Sequence, residues 1–479
     1  LSAPAKEAAG SVKVRNISAP CLHKNNNLNG VQQTKPIENG RMRNCKSEDA
    51  LRRTAARDLH YGWIIAGLSV AVAVGAIGLG RFGYTMLLPA MKRGLDIDAV
   101  KAADLATGNM VGYLSFSLIS GLLAARLGAR GVISFFMLVT GASMLLSGLA
   151  AGYPLALVAR TFTGIGSAGA NIPVMALVAV WFSPRRRGLA TGITVSGASI
   201  GLVFAGLLAP AILRRFGPEG WRQVWFAFAL FAFLVAAFAL VLLRNTPAEK
   251  GLRPVGSAFE VNRPVRSSEH RPAGESDSSV VPGKKRLDWS LVYRSGQVWH
   301  LALIYVLFGF SYVIYATFFV DYLTSEAGFT IGRAGSLWSA IGVISIISGF
   351  VWGTVSDRIG RRYGLALVFL LQAASYALFG LWRGTAGFYL SGLFFALTAW
   401  SVPAIMAASA GDLLGSRMAA AAFGFISLLL SVGQVLGPFV AGRLAAAGGT
   451  YAYCFLAAAA AAALGALTTL FLKMKEPRE

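Results

Sequence analysis

The sequence predicts an all-α membrane protein of twelve transmembrane helices arranged as two six-helix halves. Three observations lead there. Hydrophobic residues make up 55% of the 479, with a mean hydropathy of +0.60, more apolar surface than one aqueous core can hide. Charged residues are only 14% and crowd into short connections between long apolar runs. After the sixth run a polar stretch intervenes, and six further runs follow it.

A spanning helix needs about 20 mostly apolar residues at 1.5 Å each. Runs of that kind place the first six helices near 62–90, 105–126, 131–151, 154–182, 187–213 and 221–243. The second six fall near 298–323, 330–355, 363–382, 385–411, 418–444 and 450–472. The expected organisation is therefore a tail over 1–60, a first half over 61–243, a linker over 244–297, a second half over 298–472 and a tail over 473–479. The first tail is polar, with the run Lys24-Asn25-Asn26-Asn27, and reads as a disordered segment rather than a signal peptide. The linker is rich in Pro, Ser, Arg and Glu and reads as flexible.

A formal net charge of +23 could point to nucleic acid, but its distribution argues otherwise. Basic residues fall in alternate connections: Arg126 and Arg130, then Arg185, Arg186 and Arg187, the linker, the Arg358/Arg361/Arg362 cluster, and Lys473, Lys475 and Arg478. This positive-inside pattern predicts that both termini face the cytoplasm of a plasma membrane, the inner membrane if the source is bacterial. Three cysteines, Cys21, Cys45 and Cys454, supply no CxxC pair and no even disulfide framework. No metal, cofactor or nucleic-acid partner is expected. No HExxH, phosphate-binding loop or supported Ser/His/Asp spacing is present, so the expectation is a protein that is not an enzyme.

The halves repeat each other. After helix two the chain reads Gly121-Leu-Leu-Ala-Ala-Arg126-Leu-Gly128-Ala-Arg130; after helix eight, Gly353-Thr-Val-Ser-Asp357-Arg358-Ile-Gly360-Arg361-Arg362. Glycines allow a tight turn there, the basic residues hold the loop on one side, and Asp357 can accept from a helix start or an arginine. A polar latch of this kind can set the balance between two states. The second copy resembles the G-x-x-x-D-R-x-G-R-R signature of the major facilitator superfamily. The first departs from it, with Ala125 at the acid's place and Ala129 at a basic one. Arg160-Thr-Phe-Thr-Gly164 with the loop Trp181–Gly188, and Gly433-Gln434-Val-Leu-Gly437-Pro438, resemble further motifs of that superfamily. Gly80-Arg81-Phe82-Gly83-Tyr84 with Leu88-Pro89 is similar to its YbfB/YjiJ-like bacterial branch. Helix five carries only Gly197, Gly201, Gly206 and Pro210, short of the bend motif of drug exporters.

The resemblance implies a secondary transporter with a midplane site and alternating access, commonly acting as a monomer. Gly164-Ile-Gly166-Ser-Ala-Gly169 also satisfies GxGxxG, but it lies inside an apolar run with no preceding strand, so helix-packing glycines explain it better.

Charges inside spans are costly, and they nominate function. Arg81, roughly 28 Å along helix one, is a candidate anion anchor, because a guanidinium grips a carboxylate bidentately; snorkelling to the interface is the alternative. Arg160 in helix four is a candidate for coupling or for structural hydrogen bonding. Asp321 in helix seven is a candidate proton carrier or an interfacial residue, and an Arg81–Asp321 pair is geometrically allowed. Tyr84, Asn109, Tyr113, Asn171, Tyr312 and Tyr315 are candidates to hydrogen-bond substrate or a neighbouring helix. His300 is expected to be structural. The expected activity is transport of a small organic anion such as a monocarboxylate, with proton coupling or exchange. Efflux of amphipathic compounds is the runner-up, and a non-transporting ligand receptor represents a different class.

Overall fold

The computed structural model describes residues 60–257 and 290–472. The expected 1–60 tail, up to residue 59, lies outside the described residues, as do linker residues 258–289 and the 473–479 tail. Twelve helices follow one another: α1 (Tyr61–Gly94), α2 (Ala99–Leu127), α3 (Ala129–Leu149), α4 (Tyr153–Trp181), α5 (Pro184–Phe216) and α6 (Gly220–Leu242). Then come α7 (Gly296–Ser325), α8 (Ile331–Ser345 plus Ser348–Ile359), α9 (Arg361–Leu381), α10 (Thr385–Gly415), α11 (Ala421–Gly448) and α12 (Ala452–Leu470). By length and composition ten described helices can cross a membrane, or eleven with the bent α8. One of the ten, Pro184–Leu242, holds both α5 and α6, parted by the turn Gly217–Glu219, and separating them yields the twelve that the sequence predicts. Among the described residues there is no strand, only an isolated bridge between Phe182 and Val255.

Local chemistry sets several boundaries. The His60 ring Nδ1 accepts from Gly62 N at 3.0 Å and caps α1. The Asp98 carboxylate accepts from Lys101 N at 2.8 Å and caps α2, which starts six residues ahead of the expected 105 because that cap lies upstream of the apolar run. Thr330 caps α8 in the same way. Apolar side chains such as Leu118 (66% exposed) and Phe350 (81%) remain uncovered, as a lipid-facing belt requires.

The internal repeat is visible in the backbone. Gly128 ends α2 at φ 86°, ψ 140°, and Gly360 ends α8 at φ 93°, ψ 144°. L side chains rarely adopt this region, so each copy of the loop motif needs its glycine. Close helix approaches repeat as well. A Cβ on Gly201 of α5 would strike Gly78 of α1; in the second half one on Gly433 of α11 would strike the Val306 carbonyl of α7. Gly164, Gly166 and Gly169, which form the GxGxxG string, press against Asn109, Thr140 and Phe136. They are packing glycines within α4.

Part of the 244–297 stretch is folded. Pro247–Lys250 forms a short 3-10 turn, and Val255 hydrogen-bonds Trp181 O and Ser183 N at 2.9 and 3.0 Å. A short helix, Ser290–Arg294, precedes α7. His300 Nε2 lies 2.9 Å from Thr468 O, tying α7 to α12.

The connections α2–α3, α4–α5 and α8–α9 carry the arginines and share one face, here called the arginine face. Across the two halves α5 meets α8 where Gly206 faces the Gly335 carbonyl, and α2 meets α11 where Gly442 faces Ala103. Such seams of small residues suit association in lipid, where backbones gain by close approach.

Candidate functional site

Arg81 owes its position to an irregularity. Within α1, Val74–Phe82 is a π-helix, a form that is rare and often found at functional sites. The change of register frees carbonyls, and α4 supplies the donors: Ser167 Oγ to Ala76 O and Arg160 Nη1 to Gly80 O, both at 2.7 Å. Arg160 also lies over the rings of Tyr84 (4.6 Å) and Trp225 (5.3 Å). It thereby braces the π segment from behind. Asn109 Nδ2 donates to Arg160 O at 3.2 Å, and Tyr84 OH donates to Ala102 O at 2.7 Å. These hydroxyl and amide donors are engaged inside the first half.

Arg81 differs from Arg160. It is 9% exposed, its guanidinium lies 4.5 Å from the Tyr113 ring centroid, and its Nε and Nη2 have no hydrogen-bond partner. A buried guanidinium with open donors is expensive unless something arrives to pair with it. The structure thus brings Arg81 and Tyr113 together, and pairs Arg160 with Tyr84 and Asn109.

Around Arg81 lies a layer about 14 residues, roughly 20 Å, from the helix ends opposite the arginine face. It comprises Arg81 (α1), Tyr113 (α2), Leu202 (α5), Tyr312 (α7), Trp400 (α10) and Gln434 (α11). Tyr312 stacks on Phe308 at 4.9 Å and receives Gln434 Nε2 at 3.3 Å. A small cavity sits here between the halves, lined by Phe82, Leu202, Tyr312, Ala316, Trp338, Phe395, Ala399 and Trp400. It has room for about one water. Tyr315 belongs elsewhere: its hydroxyl lies 2.7 Å from Ser391 Oγ inside a cluster with Phe319, Tyr376, Phe379 and Phe395. Asn171 is half-buried on α4 and has no protein hydrogen bond among the described residues.

Asp321 is not paired with Arg81. Its carboxylate, 2% exposed, receives Lys92 Nζ at 2.9 Å, and Lys92 also reaches Tyr451 OH at 3.0 Å. Glu326, the residue just past the end of α7, accepts from Thr450 Oγ1 and from Tyr451 N. A second ion pair joins Arg443 of α11 to Asp104 of α2 at 3.2 Å. Both pairs link one half to the other near the face opposite the arginines and form a clasp there. Nearer the middle, Ser199 of α5 lies 2.9 Å from Ser345 Oγ and accepts from Trp400 Nε1 at 2.7 Å. Nearer the arginine face Gly121, Gly188, Gly192, Gly353 and Gly424 have open space where a side chain would be, as do Gly217 and Gly328 near the opposite face.

The signature loop is held within the second half. Arg361 pairs with Asp357, donates to Ser356 Oγ at 2.8 Å and to Asp412 at 3.1 Å, which joins α8, α9 and the end of α10. Arg362 donates to Tyr363 OH, while Arg358 is exposed. In the first half Arg126 is exposed, and Arg130 instead donates its side-chain Nε to Leu240 O (2.7 Å) and its backbone N–H to Asn245 Oδ1 (2.9 Å).

Sequence reasoning missed Lys92, Asp104, Arg443, Asp412 and Trp400. Lys92 and Arg443 lie near the ends of their helices, where a basic residue does not stand out. Only the pairing of α1 with α7 and of α2 with α11 reveals them as partners. Trp400 carried no polar signal at all.

A family model of the Major Facilitator Superfamily matches residues 70–410 and 301–479. The chain is similar to the probable sulfoacetate transporter SauU of Cupriavidus necator, 24% identical, covering 75% of this chain and 82% of that protein. It is likewise similar to the hexuronate transporter of Bacillus subtilis (24%; 82% and 90%) and to a putative tartrate transporter of Agrobacterium vitis (23%; 77% and 80%). Among solved structures, a bacterial homologue of the human lysosomal transporter Spinster matches with a TM-score of 0.65 at 18% identity, covering 87% of this chain and 95% of that one. The nucleoside transporter NupG matches at 0.66 and 13%, covering 85% and 98%.

Proposed function

The chain belongs to the Major Facilitator Superfamily of membrane transporters, and from that premise we propose that it moves a small organic anion by alternating access, with Arg81 gripping the anion. The single observation that carries this is Arg81 itself: buried in the central layer, stacked on Tyr113, with Nε and Nη2 unpartnered. A carboxylate or sulfonate oxygen is the natural complement of that open fork. The three relatives named above are called transporters of sulfoacetate, hexuronate and tartrate, all anions. Their bacterial sources favour an inner-membrane location.

In this reading the arginine face is cytoplasmic by the positive-inside rule, which puts both termini there. The halves are clasped on the far side by Lys92–Asp321 and Asp104–Arg443, which is the side an inward-open state keeps closed. The loop Gly353–Arg362, with Gly121, Arg126 and Gly128 as its first-half counterpart, is assigned to gating.

Proton coupling is placed at Asp321, the buried carboxylate in that clasp, while Arg160 is assigned the bracing of α1. The test is uptake of radiolabelled monocarboxylates into proteoliposomes, with and without a pH gradient. Wild type should respond to the gradient, and Asp321→Asn should transport without responding. Gradient-independent uptake by wild type would remove protons from the scheme. Stabilisation by cationic amphiphiles alone would favour the efflux reading, to which the aromatic lining lends some support.

A further inference from the structure

We infer that the site selects singly charged anions carrying a flat apolar body, such as an arylacetate, and that this body slots between Phe82 and Trp400. The inference rests on the reading of Arg81 as the anion anchor and adds what surrounds the charge.

Charge count comes first. Among the described residues the buried cations are Arg81 and Arg160. Arg160 gives Nη1 to Gly80 O and covers two aromatic faces, leaving Nε alone unpartnered, so the open two-nitrogen fork of the layer is that of Arg81. One fork matches one carboxylate. A second carboxylate in the same ligand would meet no buried counter-charge, and leaving it dry would oppose binding.

The walls come second. Phe82 follows Arg81 in α1, so the anchor stands at the level of the cavity, just outside its lining. Five of the eight lining residues, Phe82, Leu202, Ala316, Phe395 and Ala399, carry no polar side-chain atom, and the other three are aromatic. Of the polar atoms, the Tyr312 hydroxyl is met by Gln434 and the Trp400 indole N–H by Ser199. The Trp338 indole N–H is buried without a partner and can serve one acceptor. A polyhydroxylated anion would bury several hydroxyls against such walls and leave most unpaired, whereas an apolar ring would lose nothing.

The third point is how the body enters. Phe82 and Trp400 meet edge to face with centroids 5.9 Å apart, closing the space in this state. Trp400 is the residue best placed to yield. It stands where α10 is interrupted, between Thr398 and Ser401, and its backbone N–H bonds Ser348 Oγ at 3.2 Å, beside the 43° break in α8. Two interruptions at one level let the wall shift without unwinding a continuous helix. The Ser199 contact pins it when the cavity is empty.

The experiment is thermal-shift and calorimetric titration of the full-length protein in detergent with phenylacetate, glycolate, tartrate and glucuronate. Wild type should bind phenylacetate at least tenfold more tightly than glycolate, and tartrate and glucuronate more weakly still. Trp400→Ala should lose at least tenfold for phenylacetate and less than threefold for glycolate, while Trp400→Phe should keep most of the affinity. The ligand-free melting temperature of each variant reports folding. Equal binding of glycolate or tartrate and phenylacetate by wild type would overturn the apolar-body inference and leave the anion reading standing. Phenylacetate binding that survives Arg81→Ala would overturn the anchor instead. Binding of none of the four would overturn both.

Discussion

The two halves share a backbone plan and divide the chemistry. Gly128 and Gly360 adopt nearly the same φ and ψ at equivalent places, and both halves bring helices together on glycine. Yet the first half holds the buried cations, Arg81 and Arg160, whereas the second concentrates the aromatic mass, with Tyr315, Phe319, Tyr376, Phe379 and Phe455 in mutual contact. Their loops diverge likewise: Arg361 ties three helices through two carboxylates, and Arg130 reaches only neutral acceptors. A repeat therefore constrains where helices approach and turn, and leaves the side chains between them free to specialise. A site at the seam can then take its charge from one half and most of its apolar wall from the other.

Removing the charge is the largest break that can be made in this division. Two charge-assisted hydrogen bonds to a carboxylate are worth about 1.5–3 kcal/mol each. Arg81→Ala should therefore lower anion affinity by roughly a hundredfold or more. Arg81→Lys should recover part of it, as a point charge without the fork. Arg160→Lys should act differently, lowering the melting temperature through the loosened π segment. A thermal-shift series on the three variants separates an anchor from a brace, and equal ligand losses in Arg81→Lys and Arg160→Lys would dissolve the distinction.

How much of this was legible in the sequence follows from what each signal depends on. Helices, their alternation and the repeat were readable because lipid imposes a length and the loops carry arginine. Arg81 was readable because a charge in an apolar run stands out locally. The partner of Asp321 was not, since that depends on α1 and α7 converging at their far ends, and the nearer chemical guess, Arg81, lies at a different depth. Nor was the π segment foreseeable. Val74–Phe82 reads as an ordinary glycine-rich stretch until Ser167 and Arg160 arrive to take its carbonyls. Residues 99–104 were left out of helix two because Lys101 and Asp104 break the apolar run, though Asp98 caps it.

A smaller break falls on the clasp that joins the halves. Lys92 is 22% exposed and Asp321 2%, so removing one partner should cost less than the roughly 3–5 kcal/mol of a fully buried pair. Lys92→Met should destabilise the clasped state by about 2 kcal/mol, because it strands a buried carboxylate. The double variant Lys92→Met with Asp321→Asn should regain part of that loss, which a double-mutant cycle in melting temperature measures. The same single variant should raise the reactivity of a cysteine introduced at Thr85, whose hydroxyl now donates to Ala316 O across the seam at 2.6 Å. Additive single effects with unchanged labelling would show that the pair does not hold the halves together.

The smallest expected effect sharpens the comparison of the two loops. Both Gly128 and Gly360 sit at positive φ with extended ψ, so alanine at either place is strained by about 1–3 kcal/mol. Their surroundings differ. A Cβ at Gly128 would come within 3.1 Å of the Asn245 amide, whereas at Gly360 the nearest atom is Tyr363 Cδ2 at 3.8 Å. Asn245 is also the acceptor for Arg130 N, so the added methyl presses on the contact that fastens the first-half loop to the end of α6. Gly128→Ala should therefore lower the melting temperature more than Gly360→Ala, and Asn245→Ala should remove most of the difference by opening that space. Equal shifts for the two glycines in the wild-type background would mean that strain alone governs both loops. The first-half motif would then have found no replacement for the acid it lacks at Ala125.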